Sequence, residues 1–221
     1  MINIIGAGGV TSHMLPQLLK MCDSPGKITV IDGDTLEDRN LDRQLFNRRD
    51  VGKNKAEALR SLYPQVATIP EYLTKRNGKE VFDKTNPEVV FIAVDNHESR
   101  KVALDYLDEM HGTVGIFGVN EYFDSQAYAY RAEWADTLAD PRVRYPEILE
   151  TSGPSPQSCQ GESAESTPQL AIANAMTGCM MMHLFWLHVV KIHEFNHPLA
   201  KKELPYDIRR NLTEYTVSNW A

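Results

Sequence analysis

Short apolar segments alternate with helical segments over roughly the first half of the chain. The apolar segments predict β-strands at residues 1–5, 27–31, 66–69, 88–94 and 113–119. Helical patterns lie between them at 10–21, 53–62, 81–84 and 98–110. Because the strands are apolar throughout, rather than at alternate positions, both faces of the sheet must be covered. This order predicts an α/β fold: a doubly wound, Rossmann-like, mainly parallel sheet with helices on both faces.

The second half of the chain departs from this alternation. Residues 125–132 alternate alanine with larger side chains, and 214–217 form another short apolar segment, so we expect a few late antiparallel strands. Residues 151–167 are rich in Ser, Gly, Pro and Glu, which is typical of an exposed, mobile crossover loop. We expect one domain over 1–197, and a tail at 198–221 that packs on the same domain.

The longest apolar segment, residues 170–190, is interrupted by Asn174, His183 and His188. These polar side chains argue against a membrane span and favour a helix buried in the core or at a subunit interface. We expect Cys179, which lies in this helix, to be buried.

Charge and cysteine content narrow the class of protein. A formal net charge of -7 disfavours nucleic acid as a general partner. The three cysteines form no CxxC pair, which argues against a disulfide framework and against a four-cysteine zinc site. Together with a first segment that does not resemble a signal peptide, this indicates a cytoplasmic protein.

A glycine-rich turn follows the first predicted strand. Gly6, Gly8 and Gly9 precede a helix, and such turns let the backbone approach a phosphate group. Asp32 ends the second strand, where an acidic side chain accepts hydrogen bonds from ribose hydroxyls. These two features fit an ATP-dependent enzyme and an NAD-dependent oxidoreductase equally well.

Residues 34–56 are too polar for a simple crossover between strands. Three motifs follow the glycine turn in order: Asn40-Leu41-x-Arg43-Gln44, the segment DVGKNKA at 50–56, and Val94-Asp95-Asn96-x-x-x-Arg100. Over residues 2–120 the chain resembles the ThiF or ubiquitin-activating type of adenylyltransferase, a superfamily that includes enzymes of thiamin and molybdopterin biosynthesis. The oxidoreductase alternative leaves these motifs without a role.

The resemblance implies a set of site residues and two cofactors, ATP and Mg²⁺. Arg43 and Lys55 would neutralise the phosphates of ATP, Asn40 and Gln44 would orient them, and Asp95 would hold Mg²⁺. Asp34, on the same loop as Asp32, is a further candidate for nucleotide binding.

The resemblance also implies a reaction and its partners. A carboxylate would attack ATP to give an acyl-adenylate and pyrophosphate, and the carboxylate would be the C-terminal glycine of a small ubiquitin-like or sulfur-carrier protein. The enzyme would be a homodimer without the zinc ion that many relatives carry. Thr11 stands where relatives have a last glycine, and the helices that relatives place before the first strand, which lend an arginine to the partner subunit, are not expected. These departures keep a non-catalytic, nucleotide-binding partner module open as an alternative.

Cys159 lies in the loop at 151–167, before Pro168 and the long apolar helix. In ubiquitin-activating enzymes a cysteine at a similar place receives the acyl group as a thioester. The nearby Glu162 and Glu165 would oppose formation of the thiolate. A covalent role and an incidental exposed thiol therefore both remain open.

Overall fold

A computed structural model gives the fold of most of the chain. The residues that it describes are 1–22, 27–95, 97–120, 124–149, 170–190, 207–210 and 215–218. Within these ranges, a single mixed sheet contains the following strands: β1 (Ile2–Ile5), β2 (Ile28–Ile31), β3 (Ala67–Ile69), β4 (Val89–Ile92), β5 (Val114–Asn120), β6 (Ser125–Tyr130), β7 (Asp207–Arg210) and β8 (Tyr215–Ser218).

The strand order across the sheet is β3-β2-β1-β4-β5-β6-β7-β8. The five strands β3, β2, β1, β4 and β5 are parallel to one another. The strands β6, β7 and β8 follow beyond β5, and each pairs antiparallel with the strand before it. The predicted doubly wound sheet with late antiparallel strands is therefore confirmed. The strand β7 is an addition that the sequence patterns did not predict.

The helices of the described residues are α1 (Gly9–Met21), α2 (Lys55–Leu62), α3 (Gly78–Thr85), α4 (His97–Asp108), the short α5 (Pro141–Arg144) and α6 (Ala171–Phe185). Helices α1, α2 and α6 share one buried cluster with strand residues such as Ile4, Phe91 and Ile116. Helices α3 and α4 share a second cluster with the next residue of the same strands: Ile5, Ile92 and Phe117. Because neighbouring residues of each strand are buried on opposite faces, the continuous apolar strands follow directly from a sheet covered on both sides.

Helix α6 accounts for the long apolar segment. Met181 and Leu184 are completely buried within it, and the helix continues as one π-helical turn over Trp186–Val190. Gly178 brings the backbone of α6 close to α1, since a β-carbon at this position would lie 3.3 Å from the Met14 nitrogen. Among the described residues, no helix is both long and apolar enough to cross a membrane.

One expectation about α6 is wrong. Cys179 lies on the exposed side of the helix, with its sulfur 3.7 Å from the Gln17 side-chain nitrogen. Apolar side chains occur on every side of α6, so hydrophobicity alone does not indicate which side meets the core.

Candidate functional site

The glycine turn connects β1 to α1 at the carboxyl edge of the parallel strands. Gly6 has a φ of +94°, and a β-carbon there would collide with the Ala93 carbonyl at the end of β4. A β-carbon on Gly9 would collide with the side chain of Asn174. Gly8 differs from both, because no described atom lies within 4 Å of the place where its β-carbon would be. Packing therefore explains Gly6 and Gly9, whereas the absence of a side chain at Gly8 leaves open space beside the turn.

Thr11 occupies the position at which a last glycine was expected. Its side chain is buried, and its hydroxyl donates a hydrogen bond to the Gly6 carbonyl at 2.6 Å. The threonine thus stabilises the turn by a hydrogen bond to its backbone.

Asp32 lies just after β2 and holds the glycine turn. Its Oδ2 accepts a hydrogen bond from the Ala7 backbone at 2.5 Å, and its Oδ1 accepts one from the Asp34 backbone at 2.6 Å. Burial raises the pKa of Asp32, and these two backbone hydrogen bonds act in the opposite direction. Each carboxylate oxygen keeps a further lone pair that can accept a hydroxyl donor such as a ribose.

Asp34 is the partner of Lys55. The Lys55 ammonium lies 2.8 Å from Asp34 Oδ2, and the hydroxyl of Tyr72 donates a hydrogen bond to Asp34 Oδ1. Burial acts to raise the pKa of Asp34, but the hydrogen bonds from Lys55 and Tyr72 outweigh it and leave that pKa below its ordinary value. Asp34 is therefore ionised at neutral pH and keeps the lysine beside Asp32.

Lys55 is the first residue of α2, and Asn54 fixes its place. The Asn54 side chain accepts hydrogen bonds from the Ala56 and Glu57 backbone and donates one to the Asp32 carbonyl at 2.8 Å. One side chain thus caps α2 and ties it to the loop after β2.

Arg43 is held close to the glycine turn by its backbone. Asn174, on α6, packs on Gly9 and donates a hydrogen bond to the Arg43 carbonyl at 3.3 Å. The hydroxyl of Ser12 accepts a hydrogen bond from the Leu45 backbone at 3.0 Å. The guanidinium of Arg43 contacts the Arg39 carbonyl at 3.0 Å and Asp42 at 2.9 Å.

The two amide side chains of the same motif lie close by and are buried. Asn40 Oδ1 accepts a hydrogen bond from the Glu37 backbone at 2.9 Å, which gives it a local role in fixing the turn before Arg43. The side-chain oxygen of Gln44 is buried and has no hydrogen-bond partner among the described residues. This atom is a carbonyl oxygen, so it can accept a hydrogen bond but cannot donate one.

Asp95 follows β4, two residues beyond the carbonyl of Ala93 that touches Gly6. Arg100 is buried and donates a hydrogen bond to the Val94 carbonyl at 2.7 Å, so α4 braces the backbone just before Asp95. The side chain of Asp95 is exposed at this edge of the sheet.

These contacts form one connected set around the glycine turn. Lys55 pairs with Asp34, whose backbone bonds to Asp32, and Asp32 in turn bonds to the backbone of the glycine turn. Asp95 lies two residues beyond Ala93, whose carbonyl packs against Gly6. Arg43 reaches the turn through Asn174 and Gly9. Two cationic side chains and the space at Gly8 suit a polyphosphate, and an exposed carboxylate at the same edge suits Mg²⁺, which usually takes one or two protein carboxylates.

The predicted residue Cys159 lies outside the described residues, as does Asn96 of the third motif. Conversely, three residues around the site were not predicted: Asn54, Tyr72 and Asn174. Asn54 had a detectable signal, because an asparagine directly before a helical segment is a common N-cap. Tyr72 and Asn174 are distant in sequence from what they contact, so no local pattern marks them.

Comparison with known proteins indicates the family of this chain. The model of the ThiF family matches residues 1–217. The adenylyltransferase and sulfurtransferase uba4 of Aspergillus clavatus is 33% identical over 110 residues, which are 46% of this chain and 21% of the relative. The ubiquitin-like modifier-activating enzyme 5 of Oryza sativa subsp. japonica is 31% identical over 138 residues, which are 54% of this chain and 32% of the relative. The chain therefore spans less than a third of the length of these relatives.

The solved structure of E. coli MccB with ATP shares the fold. It superposes with a TM-score of 0.66 at 18% identity, over 99% of this chain and 63% of MccB. At that identity the likeness concerns the fold alone. The family match covers nearly the whole sequence, and the chain thus belongs to the ThiF family.

Proposed function

We propose that this chain is an ATP-dependent adenylyltransferase that activates a carboxylate. The observation that carries the proposal is the connected set of Arg43, Lys55 and Asp95 around a glycine turn whose Gly8 faces open space. The family match supports it, as do relatives that are named adenylyltransferases. The reaction joins a carboxylate oxygen to the α-phosphorus of ATP and breaks the bond from that phosphorus to the bridging oxygen, so that pyrophosphate leaves.

Each residue has a role that its contacts support. The backbone N–H groups of the glycine turn and the side-chain N–H groups of Gln44 would donate hydrogen bonds to the phosphate oxygens, and Asp32 would accept hydrogen bonds from the ribose hydroxyls. Arg43 and Lys55 would offset the negative charge that the carboxylate and the phosphates bring together. Both cations now pair with carboxylates of the same loop, Asp42 and Asp34, so a phosphate would replace or share those partners.

Asp95 would hold Mg²⁺ by an oxygen ligand, with the phosphates and water completing its shell. Bound there, the ion would supply charge neutralisation at the phosphate oxygens. The Arg100–Val94 hydrogen bond would keep Asp95 in place for this contact.

The substrate that we propose is the C-terminal glycine of a small ubiquitin-like or sulfur-carrier protein. The support is the naming of the relatives as ubiquitin-like modifier-activating enzyme and as adenylyltransferase and sulfurtransferase. Cys159 is proposed as the acceptor of the acyl group in a subsequent thioester. Cys159→Ser would then abolish a reducible adduct with the carrier and spare adenylation, whereas an unchanged adduct would remove Cys159 from the proposal.

We also propose that the chain forms a homodimer. Ile172 and Trp186 of the α6 region are 54% and 38% exposed, which leaves apolar surface for a second subunit. Sedimentation that shows only monomer at micromolar concentration would exclude this part of the proposal.

The test of the adenylation step is ATP–pyrophosphate exchange with candidate carrier proteins that end in glycine. Gly8→Ala is the sharpest variant, because its φ of -83° suits alanine and no described atom obstructs the methyl group. We expect a folded protein with normal thermal stability that has lost ATP binding and exchange. Gly112→Ala is the control. Its φ of +86° makes alanine costly, so we expect a lower thermal stability, but Gly112 precedes β5 at the opposite edge of the sheet, so ATP binding should be kept.

Asp95→Asn tests the metal ligand in the same assay. We expect the exchange to be lost, and Asp105→Asn, which changes an exposed carboxylate on the following helix α4, to exchange normally. Wild-type binding of NAD in preference to ATP would instead favour an oxidoreductase. ATP binding without exchange for any carrier would favour the non-catalytic module.

A further inference from the structure

Tyr72 belongs to no motif, yet its ring lies on the loop that contains Asp32 and Asp34. A β-carbon on Gly33 would lie 2.5 Å from the Tyr72 ring, so the ring covers the position where other residues have a side chain. The hydroxyl of Tyr72 donates a hydrogen bond to Asp34, the partner of Lys55. Tyr72 thus contacts two consecutive residues of the candidate nucleotide loop.

The backbone of Tyr72 is also fixed. Asn77 donates a hydrogen bond to the Tyr72 carbonyl at 2.9 Å and accepts one from the Thr74 backbone at 2.8 Å. Although the residue is anchored in this way, 52% of its surface is exposed. A large aromatic ring that is held in place and half exposed offers apolar surface that a ligand can cover.

The order of the strands indicates what would cover it. The glycine turn follows β1, Asp32 follows β2, and Tyr72 lies beyond β3, so the three lie in sequence along the carboxyl edge of β1, β2 and β3. A nucleotide with its phosphates at the glycine turn and its ribose at Asp32 would extend its base toward Tyr72. An aromatic ring and a purine both bury apolar surface when they stack.

We propose that the ring of Tyr72 is the platform on which the adenine base stacks, and that its hydroxyl positions the Asp34–Lys55 pair. This inference rests on the proposed function, because it assigns the base-binding part of the same site. The two parts of the side chain have separate tasks: the ring binds the base, and the hydroxyl holds Asp34 so that the lysine stays beside the ribose and phosphates.

Two substitutions separate these tasks. Tyr72→Ala removes the ring, and we expect it to weaken ATP binding roughly 5- to 150-fold, the range for loss of one stacked base. Tyr72→Phe keeps the ring and removes only the hydrogen bond to Asp34. We expect the phenylalanine variant to bind ATP nearly as well as the wild type and to exchange pyrophosphate more slowly.

Gly33 supplies an independent test. Its φ lies outside the left-handed region, and the three atoms nearest to the place of an added β-carbon all belong to the Tyr72 ring. Gly33→Ala should displace the ring and weaken ATP binding. In the double variant with Tyr72→Ala the obstruction is gone, so the two effects should not add, and the double variant should bind ATP as well as Tyr72→Ala alone.

The readout must distinguish base binding from a general loss of structure. We would measure calorimetrically the binding of ATP and, separately, of inorganic tripolyphosphate, which has no base. Tyr72→Ala should lose affinity for ATP and keep that for tripolyphosphate. Tyr106 offers a matched control, because its ring also covers a glycine, Gly78, and its hydroxyl also contacts a loop, at the Lys75 carbonyl; Tyr106→Phe should change neither affinity.

The outcomes are distinct. Wild-type protein that binds no ATP would overturn both the proposed function and this inference. If the wild type binds ATP and Tyr72→Ala binds it equally well, only the platform is wrong. An equal loss of affinity for ATP and tripolyphosphate in Tyr72→Ala would also contradict the platform, because it would show a distorted phosphate site.

Discussion

Asn174 links the glycine turn to the backbone of Arg43. This buried side chain of α6 fills the space beside Gly9, donates a hydrogen bond to the Arg43 carbonyl at 3.3 Å and accepts one from Asn120 at 2.7 Å. It thus contacts both the glycine turn and the backbone of Arg43. Asn174→Ala removes both hydrogen bonds and leaves a small void at Gly9.

The expected cost follows from these contacts. A hydrogen bond contributes about 0.5–1.5 kcal/mol net, so the loss of two should lower the free energy of unfolding by about 1–3 kcal/mol. In a domain of this size, a loss of about 2 kcal/mol lowers the Tm by roughly 4–8 °C. Because Arg43 would also lose its anchor, a displacement of the guanidinium by about 1 Å could slow pyrophosphate exchange up to roughly 100-fold.

Calorimetric Tm and pyrophosphate exchange, measured on the same preparations, test this prediction. Asn3→Ala is the matched control, because Asn3 is also buried and its amide donates a hydrogen bond to Thr85 at 2.8 Å, on a contact that does not involve the glycine turn. Both variants should be less stable, but only Asn174→Ala should lose exchange at temperatures where both are folded. Equal exchange by the two variants would refute the positioning role of Asn174.

Three further predictions concern other parts of the fold. Arg142→Met should lower the free energy of unfolding in urea by about 3–5 kcal/mol, because the Arg142 guanidinium is the ion-pair partner, at 2.9 Å, of the buried Asp140; a loss below about 1 kcal/mol would contradict this. Gly6→Ala should cost at least about 1–2 kcal/mol, since its φ of +94° is left-handed, and it should therefore be far less stable than Gly8→Ala by calorimetry. Burial lowers the pKa of His13 below its ordinary value of 6.5, although a hydrogen bond with the Arg43 backbone acts to raise it. Because the unfolded chain therefore takes up a proton at a higher pH than the folded chain, the free energy of unfolding should fall as the pH drops from 7 to 5. His13→Gln should flatten that dependence in urea titrations, and an unchanged slope would show that His13 is not its source.

The sequence was sufficient to predict the architecture because the strands signal it locally. Runs such as residues 88–94 are apolar on both faces, which only a covered parallel sheet requires, and the glycine turn marks the start of α1. The pattern could not predict β7, whose residues Asp207–Arg210 alternate little in polarity. The pairing of β7 with β6 is a long-range contact, and polarity within four residues cannot show it.

The sequence could predict residues of the candidate site only where they lie close together in motifs. Arg43 and Lys55 belong to such motifs, and the chain folds back so that the Lys55 backbone bonds to the Asp34 carbonyl at 2.8 Å. The supports of the site are a different case. Asn174 reaches Arg43 across 131 positions of sequence, and Tyr72 reaches Asp34 across 38. Such contacts exist only after the strands have aligned, so they required the structure.

In the proposed reaction, a carboxylate attacks ATP in the site formed by Arg43, Lys55 and Asp95. The most direct measurement uses a small carrier protein whose C-terminal carboxylate is labelled with a heavy oxygen isotope, incubated with ATP, Mg²⁺ and hydroxylamine, which removes the acyl group from any acyl-adenylate. Mass spectrometry of the released AMP should then show heavy oxygen on its phosphate, because the attacking carboxylate oxygen stays with phosphorus. Formation of ADP, or of AMP that carries no label, would contradict the account.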